Sequence, residues 1–195
     1  MTARLAVLVS GNGSNLQAII DATNSGGVAA TVELVVSNVA DAYGLTRARY
    51  AEITAVHHGV EGRTREDYDA ALARIVSDVE PDWVVLAGWM RILTMPFLSR
   101  FPSRVLNLHP ALPGMFAGVD AISRAHHAFA SGDIDHTGVM THLVPDERVD
   151  EGPVLRTMRV ELVAEEPLAD LEERVHAAEH RVLVETLAEL CTDAP

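Results

Sequence analysis

The chain has 195 residues, enough for one domain with a sizeable core, and 48% hydrophobic with 22% charged residues is a folded, globular composition. Its 15 basic residues are all arginine against 28 acidic ones, a net charge of −13. The absence of lysine excludes Schiff-base, pyridoxal-phosphate and Walker-lysine chemistry, and the lone Cys191 excludes an intrachain disulfide or a multi-cysteine metal centre.

With four Phe, two Trp and three Tyr and no basic cluster, no nucleic-acid platform is expected. The first apolar run, 5–9, is too short for a signal-peptide core, and the longest, 83–90, is too short to cross a bilayer. A cytoplasmic protein with no membrane partner is expected.

In chain order, residues 5–9 read as a buried strand, Gly11-Asn12-Gly13 as a loop, and 15–22 as a helix with Asn15 as its N-cap. Gly26-Gly27 closes that helix. Residues 32–37 form a second strand, 42–50 a helix and 53–56 a short strand. A helix over 63–79 opens with Thr64 and carries Tyr68, Leu72 and Ile75 at helical spacing. Residues 83–87 and 105–108 are further apolar strands. Strands apolar on both faces and separated by helices predict a parallel sheet covered on both sides, an α/β fold.

Residues 139–144 and 154–162 read as strands joined by a polar loop, an antiparallel extension of that sheet. A helix over 167–190 closes the chain, with a stripe Leu171, Val175, Ala178, Val182. No repeat or linker interrupts the pattern, so 1–195 reads as a single domain. Ligands of such sheets bind beyond the carboxyl ends of the strands, so the loops after Val9, Ala87 and Leu108 are expected to share one cleft.

Four constellations fall in or near that cleft. The loop Ser10-Gly11-Asn12-Gly13-Ser14-Asn15 leads from a strand into a helix N-terminus, where backbone amides and the helix end favour an anion. Leu16 stands where a dinucleotide fingerprint needs its third glycine, and Glu33 is early for a ribose-binding acid. The loop therefore suits a monophosphate better than NAD, and a plain strand-to-helix turn is the structural alternative. Asn107 and His109, two apart before Pro110, face one side of an extended segment. An amide donor beside an imidazole suits a tetrahedral oxyanion; a buried histidine satisfied by backbone is the other reading.

Asp150, on the tight loop Val149-Asp150-Glu151-Gly152-Pro153, is placed to orient His109 and favour its charged form, against a solvated turn acid. His176-Ala177-Ala178-Glu179-His180 matches the inverted zinc-peptidase pattern H-x-x-E-H. The reading preferred here sets Glu179 at the cleft and both histidines on the wetter flank, with no metal. The adjacent pairs His57-His58 and His126-His127 read as solvated surface.

Together these residues resemble the phosphoribosylglycinamide formyltransferase family, folate-dependent formyl-transfer enzymes of purine biosynthesis. The matching stretches are 6–20, 86–93, Asn107-Leu108-His109-Pro110, Asp150-Glu151-Gly152-Pro153-Val154 and Glu179-His180, whose order and spacing cover nearly the whole chain. The resemblance implies a Rossmann-like sheet and the substrates 10-formyltetrahydrofolate and glycinamide ribonucleotide (5'-phosphoribosylglycinamide). It assigns catalysis to Asn107, His109 and Asp150. Asn12, Gly13, Ser14, Asn15 and Glu179 fall to the ribonucleotide, and Arg65, Met90, Arg91, Ile92, Leu93, Asn107 and Val144 to the folate. The part over about 1–100 becomes the phosphate side and about 85–155 the folate and catalytic cleft.

Where the family reads His-Pro-Ser/Ala-Leu-Leu-Pro, Pro113-Gly114 here follow the single Leu112, a departure that bears on the conformation of that loop. The implied chemistry has an amine attack the formyl carbon while Asn107 and protonated His109 stabilise the oxyanion. Because the net charge repels anionic ligands, binding is expected to rest on local groups such as the amides of Gly13 to Asn15, Arg65 and Arg91. A formyltetrahydrofolate hydrolase, whose relatives add an N-terminal regulatory domain, and a non-catalytic folate- or nucleotide-binding module are the alternatives. A homodimer is one assembly the sequence leaves open.

Overall fold

The computed structural model describes residues 2–192. Its elements run β1 (Ala3–Val9), α1 (Ser14–Asn24), β2 (Ala30–Ser37), α2 (Tyr43–Tyr50), β3 (Thr54–His57), α3 (Arg65–Ser77) and β4 (Trp83–Leu86). They continue with α4 (Met95–Leu98), β5 (Val105–His109), α5 (Ala121–Ala130), β6 (His136–Leu143), β7 (Val154–Glu161) and α6 (Leu168–Thr192). The seven strands form one sheet in the order β3-β2-β1-β4-β5-β6-β7. The first five pair in parallel; β6 runs antiparallel to β5, and β7 antiparallel to β6. This is the expected mostly parallel α/β sheet with an antiparallel extension.

Alternation along β1 shows how both faces are covered. Leu5, Val7 and Val9 pack with Leu16 and Ile19 of α1, Leu45 of α2, and Leu183 and Leu187 of α6. Ala6 and Leu8 point the other way, onto Tyr68, Leu72 and Val76 of α3 and Phe97 of α4. A third cluster sets Val139 and Val160 of the antiparallel strands against Leu171, Val175, Ala178 and Val182 of α6, the predicted stripe. On α3 the buried stripe is Tyr68, Leu72, Val76, with Ile75 half-buried at its edge.

Several local expectations are corrected. The N-cap of α1 is Gly13, not Asn15, because the chain turns there at φ 75° against α2. A Cβ on Gly13 would lie 2.7 Å from Cα of Gly44, so only glycine fits the turn. Helix α3 starts at Arg65, with Thr64 as N-cap accepting the Asp67 N–H. Helices α4 and α5 were not anticipated. His58 is buried rather than solvated: its ring stacks on Tyr68 at 4.4 Å and its Nε2 lies 3.2 Å from the Tyr68 carbonyl. His126 likewise reaches the Glu166 carbonyl at 2.8 Å. Both are tied down by backbone acceptors that a local reading of adjacent histidines does not see.

The connections after β1 and β4 leave to opposite sides of the sheet, which opens a crevice at their carboxyl ends. The loops meet there: Ser10 N–H donates to the Gly88 carbonyl at 3.0 Å, and Ser10 Oγ accepts the Met90 N–H at 2.8 Å.

Candidate active site

Asn107 and His109 lie on the last turn of pleat in β5, and both side chains reach the same cleft. The antiparallel register places Asn107 directly opposite His142 of β6. His142 Nδ1 faces the Leu143 carbonyl at 2.9 Å and so carries a proton. Its Nε2 lies 3.0 Å from the Asn107 amide nitrogen and 3.4 Å from Asp150 Oδ1, accepting from the first when neutral and donating to the second when protonated. The second Asn107 N–H donates to Asp150 Oδ1 at 3.1 Å, so both of its donors are engaged.

Asp150 closes this network from the loop before β7. It stands in the left-handed region at φ 56°, a conformation held by its surroundings. Two residues on, a Cβ at Gly152 would fall 1.7 Å from the Leu143 carbonyl oxygen, so the loop must run flush against β6. Asp150 Oδ2 accepts the Gly118 N–H at 2.9 Å and lies 3.3 Å from His109 Nδ1. Burial disfavours its charge, but the His142 ring, the Gly118 N–H and nearby His109 outweigh burial and hold the carboxyl below its usual range.

His109 is 4% exposed. Its Nε2 donates to the Phe116 carbonyl at 3.2 Å, so both ring nitrogens face acceptors, the arrangement of an imidazolium. Burial nevertheless dominates and lowers its pKa below the ordinary histidine value, with Asp150 and the Phe116 carbonyl pulling the other way. The expectation that Asp150 favours the charged form is therefore right in sign but not in net effect for the ligand-free site: desolvation of the ring is the larger influence.

All three groups line a cavity of about 680 Å³, together with Arg65, Met90, Arg91, Ile92, Leu93 and Val144. That volume is on the scale of a cofactor-sized ligand. Met90 and Ile92 are exposed apolar groups at the wall, 69% and 46% accessible. Arg65 donates to the Ile92 carbonyl at 3.2 Å. Arg91 stacks over Tyr68 at 4.6 Å, with its Nε buried and without a partner. Two cations thus stand in a mostly apolar cleft, placed to meet a ligand with an anionic end.

Asn12, Gly13, Ser14, Asn15 and Glu179 are not among the residues that line this cavity; the loop after Val9 meets its wall through the Ser10 contacts to Gly88 and Met90. The loop still leads into a helix N-terminus, where backbone amides favour an anion: Gly13 turns the chain into α1, while the buried, unpartnered Oδ1 of Asn15 is an acceptor that calls for a donor group. Arg47 of α2 braces it, donating from Nε to the Asn12 carbonyl at 2.9 Å and from an NH2 group to Asn12 Oδ1 at 3.0 Å. Glu179 is 5% exposed on α6 and near enough to His109 to act on its charge.

His176, half-exposed, bonds Glu179 at 2.6 Å through Nδ1, and His180 is half-buried. Among the described residues no group of three or more His, Cys, Asp or Glu is arranged to hold a metal ion. No described helix is long and apolar enough to cross a membrane. Burial pushes the Cys191 thiol up to about 11, which leaves it unreactive. His142, Arg47, Phe116 and Gly118 were missed. The first needs the β5–β6 register and the others depend on loop paths, signals that no single segment carries.

An α/β sheet with a loop-built polar network at its carboxyl edge is the frame on which comparison with known proteins bears. The profile of the formyl transferase family matches residues 3–187, and the chain belongs to that family. The phosphoribosylglycinamide formyltransferase of Schizosaccharomyces pombe is 44% identical over 99% of this chain and 99% of its own, and that of Dictyostelium discoideum 41% over 98% and 100%. Among solved structures, glycinamide ribonucleotide transformylase 1 from Geobacillus kaustophilus superposes with a TM-score of 0.91 at 35% identity, covering 98% of this chain and 100% of that one.

Proposed function

We propose that the protein transfers the formyl group of 10-formyltetrahydrofolate to the amine of 5'-phosphoribosylglycinamide, giving formylglycinamide ribonucleotide and tetrahydrofolate in purine biosynthesis. The observation that carries this reading is the meeting of Asn107, His109 and Asp150, from two separate segments, in the wall of one cavity. Full-length relatives named for this reaction support it.

In this account the folate enters the cavity between Arg65, Met90, Arg91, Ile92, Leu93 and Val144, with Asn107 at its inner end. The ribonucleotide phosphate takes the amides of Asn12, Gly13, Ser14 and Asn15, and Glu179 contacts its ribose side. The residues over about 1–100 form the phosphate side and those over about 85–155 the folate and catalytic cleft of one domain. The enzyme works in the cytoplasm, needs no metal and takes small molecules as its partners; a homodimer is compatible with the reaction.

The amine must attack unprotonated. As its nitrogen bonds to the formyl carbon, the carbonyl oxygen becomes an oxyanion. Asn107 gives up one of its internal hydrogen bonds to donate to it, and His109 Nε2 exchanges the Phe116 carbonyl for it. That new negative charge raises the proton affinity of His109, countering burial at the moment the charge is needed. Asp150 holds Nδ1, and with water at its carboxylate passes the proton released by the amine to the departing folate nitrogen. One C–N bond forms, one breaks, and the proton lost by one nitrogen is taken by the other.

The test is tetrahydrofolate release from 10-formyltetrahydrofolate with and without the ribonucleotide. Release only with it, and its loss in His109→Ala, is the expected result. Release that ignores the ribonucleotide makes the protein a hydrolase, and none under either condition makes it a binding module.

A further inference from the structure

Glu179 is a buried carboxylate whose side-chain hydrogen bonding, among the described residues, consists of one contact. That contact is His176 Nδ1, one helical turn earlier on α6, 2.6 Å from Oε2. The pair straddles the protein surface: the Glu179 side chain is 7% exposed and that of His176 is 50% exposed. Oε1 is left free to accept from a ligand. Residues three apart on a helix are neighbours, so the contact is built into α6 and does not depend on a loop.

The charges around the pair are unfavourable to a bare anion. Glu172 on the same helix adds a second carboxylate, and His180 beside Glu179 has its pKa lowered by burial, so it supplies little positive charge. From the sheet, His109 on β5 is the titratable group that Glu179 acts on, and its pKa too is lowered by burial. The whole chain carries −13. His176 is the exception: its bond to Glu179 raises its pKa.

We infer that His176 is a positioning residue for the ribonucleotide: it fixes the Glu179 carboxylate with Oε1 presented, and its proton offsets that buried charge when the phosphate-bearing ligand arrives. The inference rests on the reading above in which Glu179 contacts the ribonucleotide. Binding of the ribonucleotide and protonation of His176 are then linked, each favouring the other. A neutral His176 still donates from Nδ1 but no longer offsets the charge, so affinity falls as pH rises through its titration.

The experiment measures ribonucleotide binding alone, without folate, so that no turnover intervenes. The full-length protein and His176→Gln are titrated by calorimetry between pH 6 and 8.5, and the histidine rings of the unmutated protein are followed by NMR with and without saturating ribonucleotide. The ligand's own ionisations are common to both proteins and cancel in the comparison. The expected result is that the unmutated protein binds about five- to tenfold more tightly than His176→Gln at the acid end, with the gap closing towards pH 8.5. The His176 midpoint should rise on saturation by an amount that matches that gap.

Parallel affinity curves for the two proteins with an unmoved His176 midpoint would overturn the inference and leave the proposed reaction standing. No ribonucleotide binding by the unmutated protein at any pH would overturn the reaction, and the inference with it.

Discussion

One oxygen of Asp150 serves two elements: Oδ2 lies 3.3 Å from Nδ1 of His109 and accepts the Gly118 N–H at 2.9 Å. The carboxylate thereby couples the His109 imidazole at the end of β5 to the loop that follows it. Its other oxygen takes the Asn107 amide, so one side chain orients both proposed oxyanion donors.

Replacing Asp150 by Asn should lower kcat by about 10²–10³, the scale for losing one element of a preorganised oxyanion site. The sign of the accompanying pH change is fixed by its partner. Asp150 raises the pKa of His109, so without its charge His109 loses its proton at lower pH. The alkaline limb of the kcat profile should move towards acid in Asp150→Asn. A limb that stays in place would show that Asp150 does not act through His109.

His142, which also lines the cavity, is expected to matter by holding Asn107. Its Nε2 holds the Asn107 amide, and it is 2% exposed. In His142→Phe the freed Asn107 donor loses its partner, at a cost of about 1–3 kcal/mol in stability. Turnover should fall about tenfold or more, with the KM for both substrates changed little. Thermal unfolding together with steady-state kinetics separates the two effects, and a large rise in KM alone would contradict this assignment.

Gly13→Ala should weaken the ribonucleotide and spare the folate. Alanine at φ 75° costs about 1–2 kcal/mol, and its Cβ would press on Cα of Gly44 at 2.7 Å. The loop must shift, and with it the amides proposed to hold the phosphate. A measured rise in ribonucleotide KM with folate KM unchanged is the expected pattern; equal effects on both would place the loop elsewhere in the mechanism.

Stability should fall on mild acidification. His58, His109 and His180 all have pKa values lowered by burial, so the unfolded chain binds more protons than the native one below about pH 6.5. Each such proton steepens the loss by up to about 1.4 kcal/mol per pH unit. His176 works the other way: its pKa is raised, so its contribution is full below about pH 6.5 and is lost as pH climbs through its native value. Three against one predicts lower stability at pH 5 than at pH 7, measurable by urea unfolding.

Much of this fold is legible in local sequence because each parallel strand is a short apolar run between helix signals, and β1, β2 and β5 follow that pattern closely. Helix α5 is not. Its N-cap, Asp120, is left-handed and makes no side-chain cap bond, and its buried residues are only Ala121 and Ala125. At the site, Asn107 and His109 are readable from their spacing of two. His142 requires knowing which residue of β6 lies across from Asn107, information held in the register alone. The burial of His109, which reverses the balance struck by Asp150, comes from the loops folded over it.

The most direct measurement follows the formyl carbon itself. With 10-formyltetrahydrofolate labelled at that carbon and the ribonucleotide present, the account predicts that the label appears on the ribonucleotide amine in equal amount to the tetrahydrofolate released. It also predicts that both products vanish together in His109→Ala. Label recovered as free formate, with the ribonucleotide unmodified, would contradict it.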